Sequence, residues 1–247
     1  MAWTGQVRTL EDAREFAKVL LDETGNLFWS QTEQTALASE ANRVVFRELV
    51  ATNPEYFIDD DSGPFTWARD TEHVDLNSSG FLGSGVLPYK IIQVEDTEKA
   101  EVPSRNNMPS KWRTMRFQDR RIVEITAGSV FGDLGRSYVL VRNRMYVSPI
   151  PDKAMNVHIY WIPHIPDIST DSDILLVTKQ ADINGASEEF GDLVGVYLAK
   201  LMNSKQQGQN PMIEQLWGEG LARMNNNAQL RNVDAPMGVR VTRAPWE

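Results

Sequence analysis

The sequence predicts an α+β fold: terminal helices forming a small helical bundle, an inserted antiparallel β domain of sandwich or barrel-like form, and an extended C-terminal arm. Three observations predict it. Apolar residues recur at helical spacing near both ends of the chain, over 10–51 and again over 190–224. Between them the helical period vanishes, proline, glycine and β-branched residues rise, and short alternating runs are separated by turn residues. After Asn225-Asn226-Asn227 little remains with which to build a core. A helix pair carries one apolar stripe per helix and must bury it, so the simplest solution brings the two ends together. The segments expected are 1–55 and 184–230 for the two helix pairs, 56–183 for the β insertion, and 231–247 for the arm.

The elements follow in order. Thr9 caps a helix over 10–23, with Glu11 and Asp12 in its first turn and Leu10, Ala13, Phe16, Ala17, Leu20 and Leu21 in one stripe. Gly25 stands where a left-handed C-terminal cap is expected. Ser30-Gln31-Thr32-Glu33 reads as a capping box and opens a second helix to 51, burying Leu37, Ala41, Val44, Val45 and Leu49, which Asn53-Pro54 stops. In the middle, 65–68 and 86–94 read as strands flanking a flexible loop, and 95–107 as an exposed polar stretch. A hairpin is expected from 114–117 and 121–126, and another from 138–141 and 145–147 turning at Arg142-Asn143-Arg144. Residues 156–162 alternate Val157, Ile159 and Trp161 against His158, Tyr160 and Ile162, as one packed and one wet face require. Phe190, Leu193, Val194, Tyr197, Leu198, Leu201 and Met202 mark the third helix, which Gly208 ends. Asn210 caps the fourth, with Pro211 at its first position and Ile213, Leu216, Trp217, Leu221 and Met224 continuing to 228. Gly218 and Gly220 in that helix point to close packing.

Composition narrows the function. The chain has 247 residues, no cysteine and a formal net charge of −9, so disulfides, thiolate catalysis and cysteine-bound metals are excluded. The acidic balance opposes tight non-specific binding of duplex DNA by the whole surface. Met1-Ala2-Trp3-Thr4 begins no signal peptide, and no apolar run approaches the ~20 residues that span a bilayer, so a protein made and used in the cytoplasm, or in something assembled there, is expected. His158 and His164 flank a strand end without a third ligand at a familiar spacing, so a metal is not expected. Asp59-Asp60-Asp61-Ser62-Gly63 lacks the ligand alternation of a calcium loop and reads as a solvated turn. Glu188 and Glu189 are adjacent on a helix, so they suit its dipole better than acid–base chemistry. No nucleophile elbow or phosphate-binding loop is present; the glycine-rich run 128–135 precedes no helix. No cofactor and no enzyme activity are expected.

One basic and aromatic cluster stands out: Lys111-Trp112-Arg113-Thr114-Met115-Arg116-Phe117 with Arg120 and Arg121. Alternation sets Lys111, Arg113 and Phe117 on one face and Trp112, Thr114 and Arg116 on the other. Such a cluster can grip phosphates and stack on bases. The plainer alternative is a strand with a charged outer face, or one paired with Glu95, Asp96, Glu98 and Glu101, and the net charge favours it.

The arrangement resembles the head-to-tail adaptor (connector, head-completion) proteins of tailed bacteriophages. The resemblance rests on Leu20-Leu21-Asp22-Glu23-Thr24-Gly25, Phe28-Trp29-Ser30 and the alanine-, asparagine- and arginine-bearing helix up to Asn53-Pro54. It continues through Tyr138-Val139-Leu140, Met145-Tyr146-Val147-Ser148-Pro149-Ile150-Pro151 and Val157-His158-Ile159-Tyr160-Trp161-Ile162-Pro163, and through Phe190-Gly191-Asp192-Leu193 with Tyr197-Leu198-Ala199-Lys200. It leaves 77–108 and the tail after Leu230 unaccounted for. It implies a structural virion protein of the neck, assembled in the host cytoplasm as a typically dodecameric ring under the portal. The ring extends the DNA channel toward downstream tail or nozzle proteins, and viral DNA passes without stable binding. The arm would dock on the portal or a neighbouring subunit through Val239, Arg240, Val241, Arg243 and Trp246, with forked arginine contacts and a pocketed indole. Two alternatives stay open. One is a nucleic-acid-binding module over 111–121; the other is a virion glycan- or receptor-binding β domain with Trp67, Trp112 or Trp161 as a stacking platform.

Overall fold

Capping boxes set the starts of the first two helices. In this computed structural model Thr9 accepts from the Asp12 amide at 3.3 Å while the Asp12 carboxylate accepts from the Thr9 amide at 2.9 Å, and α1 (Leu10–Leu20) follows. Ser30 and Glu33 make the same reciprocal pair before α2 (Gln31–Thr52). The structure describes residues 6–22, 29–58, 65–76, 88–98, 113–117, 137–148, 150–178, 185–205 and 210–234.

The chain divides into two units, Met1–Tyr56 with Ile165–Glu247, and Phe57–His164. The first is helical. It holds α1, α2, α3 (Gly185–Lys205) and α4 (Pro211–Asp234). The insertion therefore ends at 164 rather than 183, because residues 165–178 fasten to α1 and α2. Helix α1 stops three residues before the expected 23, with Asp22 in the left-handed conformation at φ 55°; Gly25, the expected cap, lies outside the described residues. Helix α4 continues past 228, through the three asparagines and into the stretch assigned to the arm. Asparagine costs a helix at most about 0.7 kcal/mol relative to alanine, so three in a row weaken it without ending it.

Helix α3 is the centre of this unit and packs against α1, α2 and α4. Two of its glycines make the approach to α1 and to the segment leading into it possible. A Cβ on Gly191 would sit 2.0 Å from the Val7 carbonyl oxygen, and one on Gly195 would sit 2.6 Å from the Phe16 ring. On α4, Gly220 lies against the Leu193 side chain, where an added Cβ would come within 1.9 Å. Gly218 differs from the expectation, for nothing lies within 4 Å of its notional Cβ. Asn210 caps α4 as expected, its side chain accepting from the Met212 amide at 3.1 Å.

Among the described residues the second unit forms a pair of four-stranded sheets. Strands β1 (Phe65–Trp67), β3 (Pro88–Glu98), β4 (Arg113–Thr114) and β8 (Met155–Pro163) lie in the order β1-β8-β3-β4. Strands β2 (His73–Asp75), β5 (Arg116–Phe117), β6 (Ser137–Val141) and β7 (Arg144–Ser148) lie in the order β2-β7-β6-β5. All pairs are antiparallel except the two-residue pairing of β5 with β6. The inward faces of both sheets fill one core: Trp67, Val94, Val157, Ile159 and Trp161 from the first, Tyr138, Met145 and Val147 from the second. The alternation read at 156–162 holds from Val157 to Trp161, where Val157, Ile159 and Trp161 are buried and His158 and Tyr160 half-buried, and fails at Ile162, which the alternation sets on the wet face and which is fully buried. Residues 95–98, read as exposed and polar, are instead the end of β3, and Asp96 is buried. The β6–β7 hairpin turns at Arg142-Asn143 with Arg142 at φ 55°. A non-glycine residue held there costs about 1–2 kcal/mol.

The glycine contacts separate packing from propensity. Gly191→Ala should lower stability by about 1–3 kcal/mol through overpacking against backbone. Gly218→Ala should raise it by about 0.8–1 kcal/mol through helix propensity alone. Urea unfolding of both variants checks the pair; a gain at Gly191 or a loss at Gly218 would contradict this packing.

Candidate functional site

The most specific polar chemistry in the helical unit belongs to an irregular strap over 165–178. Ile168, Leu175, Leu176 and Val177 are buried, so the strap's own backbone groups need partners. The amides of Leu10 and Glu11, left open at the start of α1, donate to the carbonyls of Asp173 and Asp171 at 3.0 and 3.1 Å. Thr9 and Ile174 form an antiparallel bridge, and the Leu175 amide donates to the Arg8 carbonyl at 2.9 Å. From α2, Ser39 donates to the Ile168 carbonyl at 2.9 Å and accepts from the Ile168 amide at 3.2 Å. Asn42 Oδ1 accepts from the buried Leu176 amide at 2.9 Å, with Leu176 in the left-handed region at φ 53°.

Three aspartates complete the strap. Asp171 takes the Nη2 of Arg14, a guanidinium buried in α1, at 2.5 Å. Asp167 pairs with Arg43 of α2. Asp173 accepts from the Thr170 hydroxyl at 2.5 Å and from the Thr170 and Ser169 amides at 2.8 and 2.7 Å. These donors, the Thr170 hydroxyl first, hold its carboxyl below the usual carboxylate range. A pocket of 320 Å³ beside the strap is lined in part by Asn42, Asp167, Ser169 and Asp173. All three carboxylates are committed to hydrogen bonds or ion pairs. Among the described residues no group of three histidines, aspartates or glutamates is placed to hold a metal. The arrangement fastens the strap to α1 and α2.

The sequence pattern around 111–121 is resolved differently from expectation. Arg113 and Thr114 pair with Asp96 and Glu95 of β3, the Met115 amide donates to the Val94 carbonyl at 2.8 Å, and Arg116 and Phe117 then pair with Ser137 and Tyr138 of β6. The segment thus crosses from one sheet to the other at Met115. The expected two-face alternation fails for the same reason: Met115 is 3% exposed and Phe117 63% exposed, although both fall on one face of an unbroken strand. The register opposite Asp96 and Glu95 is the pairing with acidic neighbours that the plainer reading anticipates. Lys111, Arg120 and Arg121 lie outside the described residues, as do Trp112, 121–126, the acidic turn 59–61 and the glycine-rich run 128–135. The arm residues Val239, Arg240, Val241, Arg243 and Trp246 lie outside them too.

Each histidine rests against a tyrosine ring: His73 on Tyr146, His158 on Tyr160 and His164 on Tyr89, at 5.0, 4.5 and 5.4 Å between centroids. His158 and His164 are about 20 Å apart along β8 and its exit, too far to share an ion. Trp67 and Trp161 are fully buried, which removes them as a glycan platform. Glu188 pairs with Arg8 at 2.9 Å and Glu189 accepts from the Tyr56 hydroxyl. No helix among the described residues is long and apolar enough to cross a membrane. No family model matches the chain, and no curated protein matches it.

The sequence reading missed Gln34, Ser39 and Asn42, because it sought apolar residues on α2. The buried face is Gln34, Ala38, Ala41, Asn42, Val45, Phe46, Leu49 and Val50, with Leu37 and Val44 only half-buried. A signal existed: Asp167-Ile168-Ser169-Thr170-Asp171-Ser172-Asp173 is dense in side chains that bond nearby backbone. Such a run beside a helix with polar residues in its alanine stripe points to a fastened segment.

Acid should loosen the strap. Asp173 titrates lower when folded, so its contribution is complete above the ordinary value of 3.8 and is lost as pH falls through the depressed one. Asp173→Asn should unfold at lower urea than the wild type at neutral pH, and the gap should close on acidification below 3.8. A gap independent of pH would contradict this role.

Proposed function

We propose that this chain is a structural virion protein, a head-to-tail adaptor that forms a ring under the portal and extends the DNA channel toward the tail. One observation carries the reading: the first and last parts of the chain, Met1–Tyr56 and Ile165–Glu247, make one helical unit, and the β-rich Phe57–His164 is inserted between them in sequence. That is the architecture the resemblance to phage adaptors implies. The commitment of the strap's carboxylates to fastening also favours a part that is built over one that reacts. A net charge of −9 suits a channel wall, because like charge lets DNA slide where a basic wall would hold it. In this reading the segment after α4, with Val239, Arg240, Val241, Arg243 and Trp246, docks on the portal or a neighbouring subunit.

Native mass spectrometry of the purified protein mixed with the portal ring of the same virus tests this. The expected product holds a fixed number of copies and is lost when 235–247 are removed, a cut that leaves α4 whole. A protein that ignores the portal would overturn the assignment. Steep salt-dependent binding to free DNA, abolished by alanine at Arg113, Arg116 and Arg121, would transfer it to the nucleic-acid reading.

A further inference from the structure

Within the β-rich unit a groove of 480 Å³ lies between the start of β3 and the β6 side of the second sheet. Its lining joins the core through Leu76, Ile91 and Leu140. Five large apolar side chains are exposed among the described residues, and two of them, Tyr89 and Phe117, line this groove. Phe117 is 63% exposed and meets Tyr138 edge to face at 5.5 Å, so it is braced on one side and open on the other.

The groove also holds two exposed cations, Lys90 and Arg142. Neither has an ion-pair partner among the described residues, whereas Arg69 and Arg144 of the same unit pair with Asp70 and Asp75. In a chain of net charge −9, two cations left open in one groove stand apart. Arg142 carries a further cost. It occupies the left-handed position of a two-residue turn, φ 55°, where glycine, asparagine or aspartate fits without strain. An arginine kept there at the expense of backbone strain points to a use for its charge.

We propose that this groove docks an extended acidic peptide of a partner protein, an apolar side chain against Phe117 and carboxylates on Lys90 and Arg142. A carboxylate meets the Arg142 guanidinium in a forked pair, and a short segment brings charge only where the cations stand. A nucleic acid fits less well. It carries a phosphate at every residue, two cations answer only two of them, and the rest meet an acidic protein. The proposal stands apart from the ring assignment, since any partner with such a segment satisfies it.

Selection from a displayed random peptide library against the full-length protein, followed by fluorescence anisotropy of the enriched peptides, tests it. The expected peptides carry two or more carboxylates around an aromatic or aliphatic residue. Lys90→Glu should weaken them several-fold, and Phe117→Ala or the pair Lys90→Glu with Arg142→Gly should weaken them about tenfold or more. Glycine suits the turn, and all three side chains are exposed, so thermal midpoints should not fall; that separates lost docking from lost folding. Enriched peptides without acidic residues, or peptides indifferent to these substitutions, would overturn the proposal. So would tighter binding of an oligothymidylate than of any peptide, or a change in the protein's own oligomeric state on Lys90→Glu, which would give the groove to nucleic acid or to a second copy.

Discussion

The Leu176 amide and the Asn42 side chain meet across 134 residues of sequence, and the helical unit depends on what that bond secures. Leu176 contributes a fully buried side chain only by adopting a left-handed backbone, which a leucine avoids unless its surroundings hold it. Asn42 holds it from α2, while the strap's carbonyls hold the open first turn of α1. Each partner thus supplies what the other lacks. The helix start needs acceptors, and the irregular segment needs donors and acceptors that no sheet provides. A buried amide left without its acceptor costs roughly 1–3 kcal/mol, enough to matter against a marginal total.

Tight helix contact is the second constraint. Helix α3 reaches α1 and the segment leading into it through Gly191 and Gly195 and meets α4 at Gly220, so three positions that weaken isolated helices enable close approach in this unit. The β-rich unit solves its own burial with two sheets around a core of tryptophan, methionine and β-branched residues. The crossing at Met115 gives both sheets a short added strand from one continuous stretch, and it leaves Phe117 facing outward. Large apolar side chains such as Phe117 and Met212 remain exposed on the two units.

Local chemistry was legible in the sequence wherever it was sufficient. Thr9, Ser30 with Glu33, Asn53-Pro54 and Asn210-Pro211 act through neighbours a few residues away, and each marks a helix end as expected. The alternation of Val157, Ile159 and Trp161 worked because β8 is paired with β3 along its length and keeps those three side chains in the core between the sheets; it ends at Ile162, which is buried as well. Features set by distant partners were not legible. The strap has no period, so 165–178 read as part of the insertion. The face of α2 turned out to include Asn42 because a strap remote in sequence needed a polar partner, and Gln34, whose side-chain amide donates to the Trp29 carbonyl just before the helix. At Met115 a change of sheet broke an alternation that composition alone could not interrupt. No pattern distinguished Gly218 from Gly220 either, since their packing partners lie on other helices or are missing within 4 Å.

Native-state hydrogen exchange of individual amides is the most direct measure of whether the strap is integral to the helical unit. The amides of Leu10, Leu175 and Leu176 should exchange with the same opening free energy as the core amides of α3, Val194 and Leu198 among them. Asn42→Ala should lower all of them together. Strap amides that exchange freely while α3 stays protected would show that the helices hold without the strap, and would contradict its place as the constraint on which the unit depends.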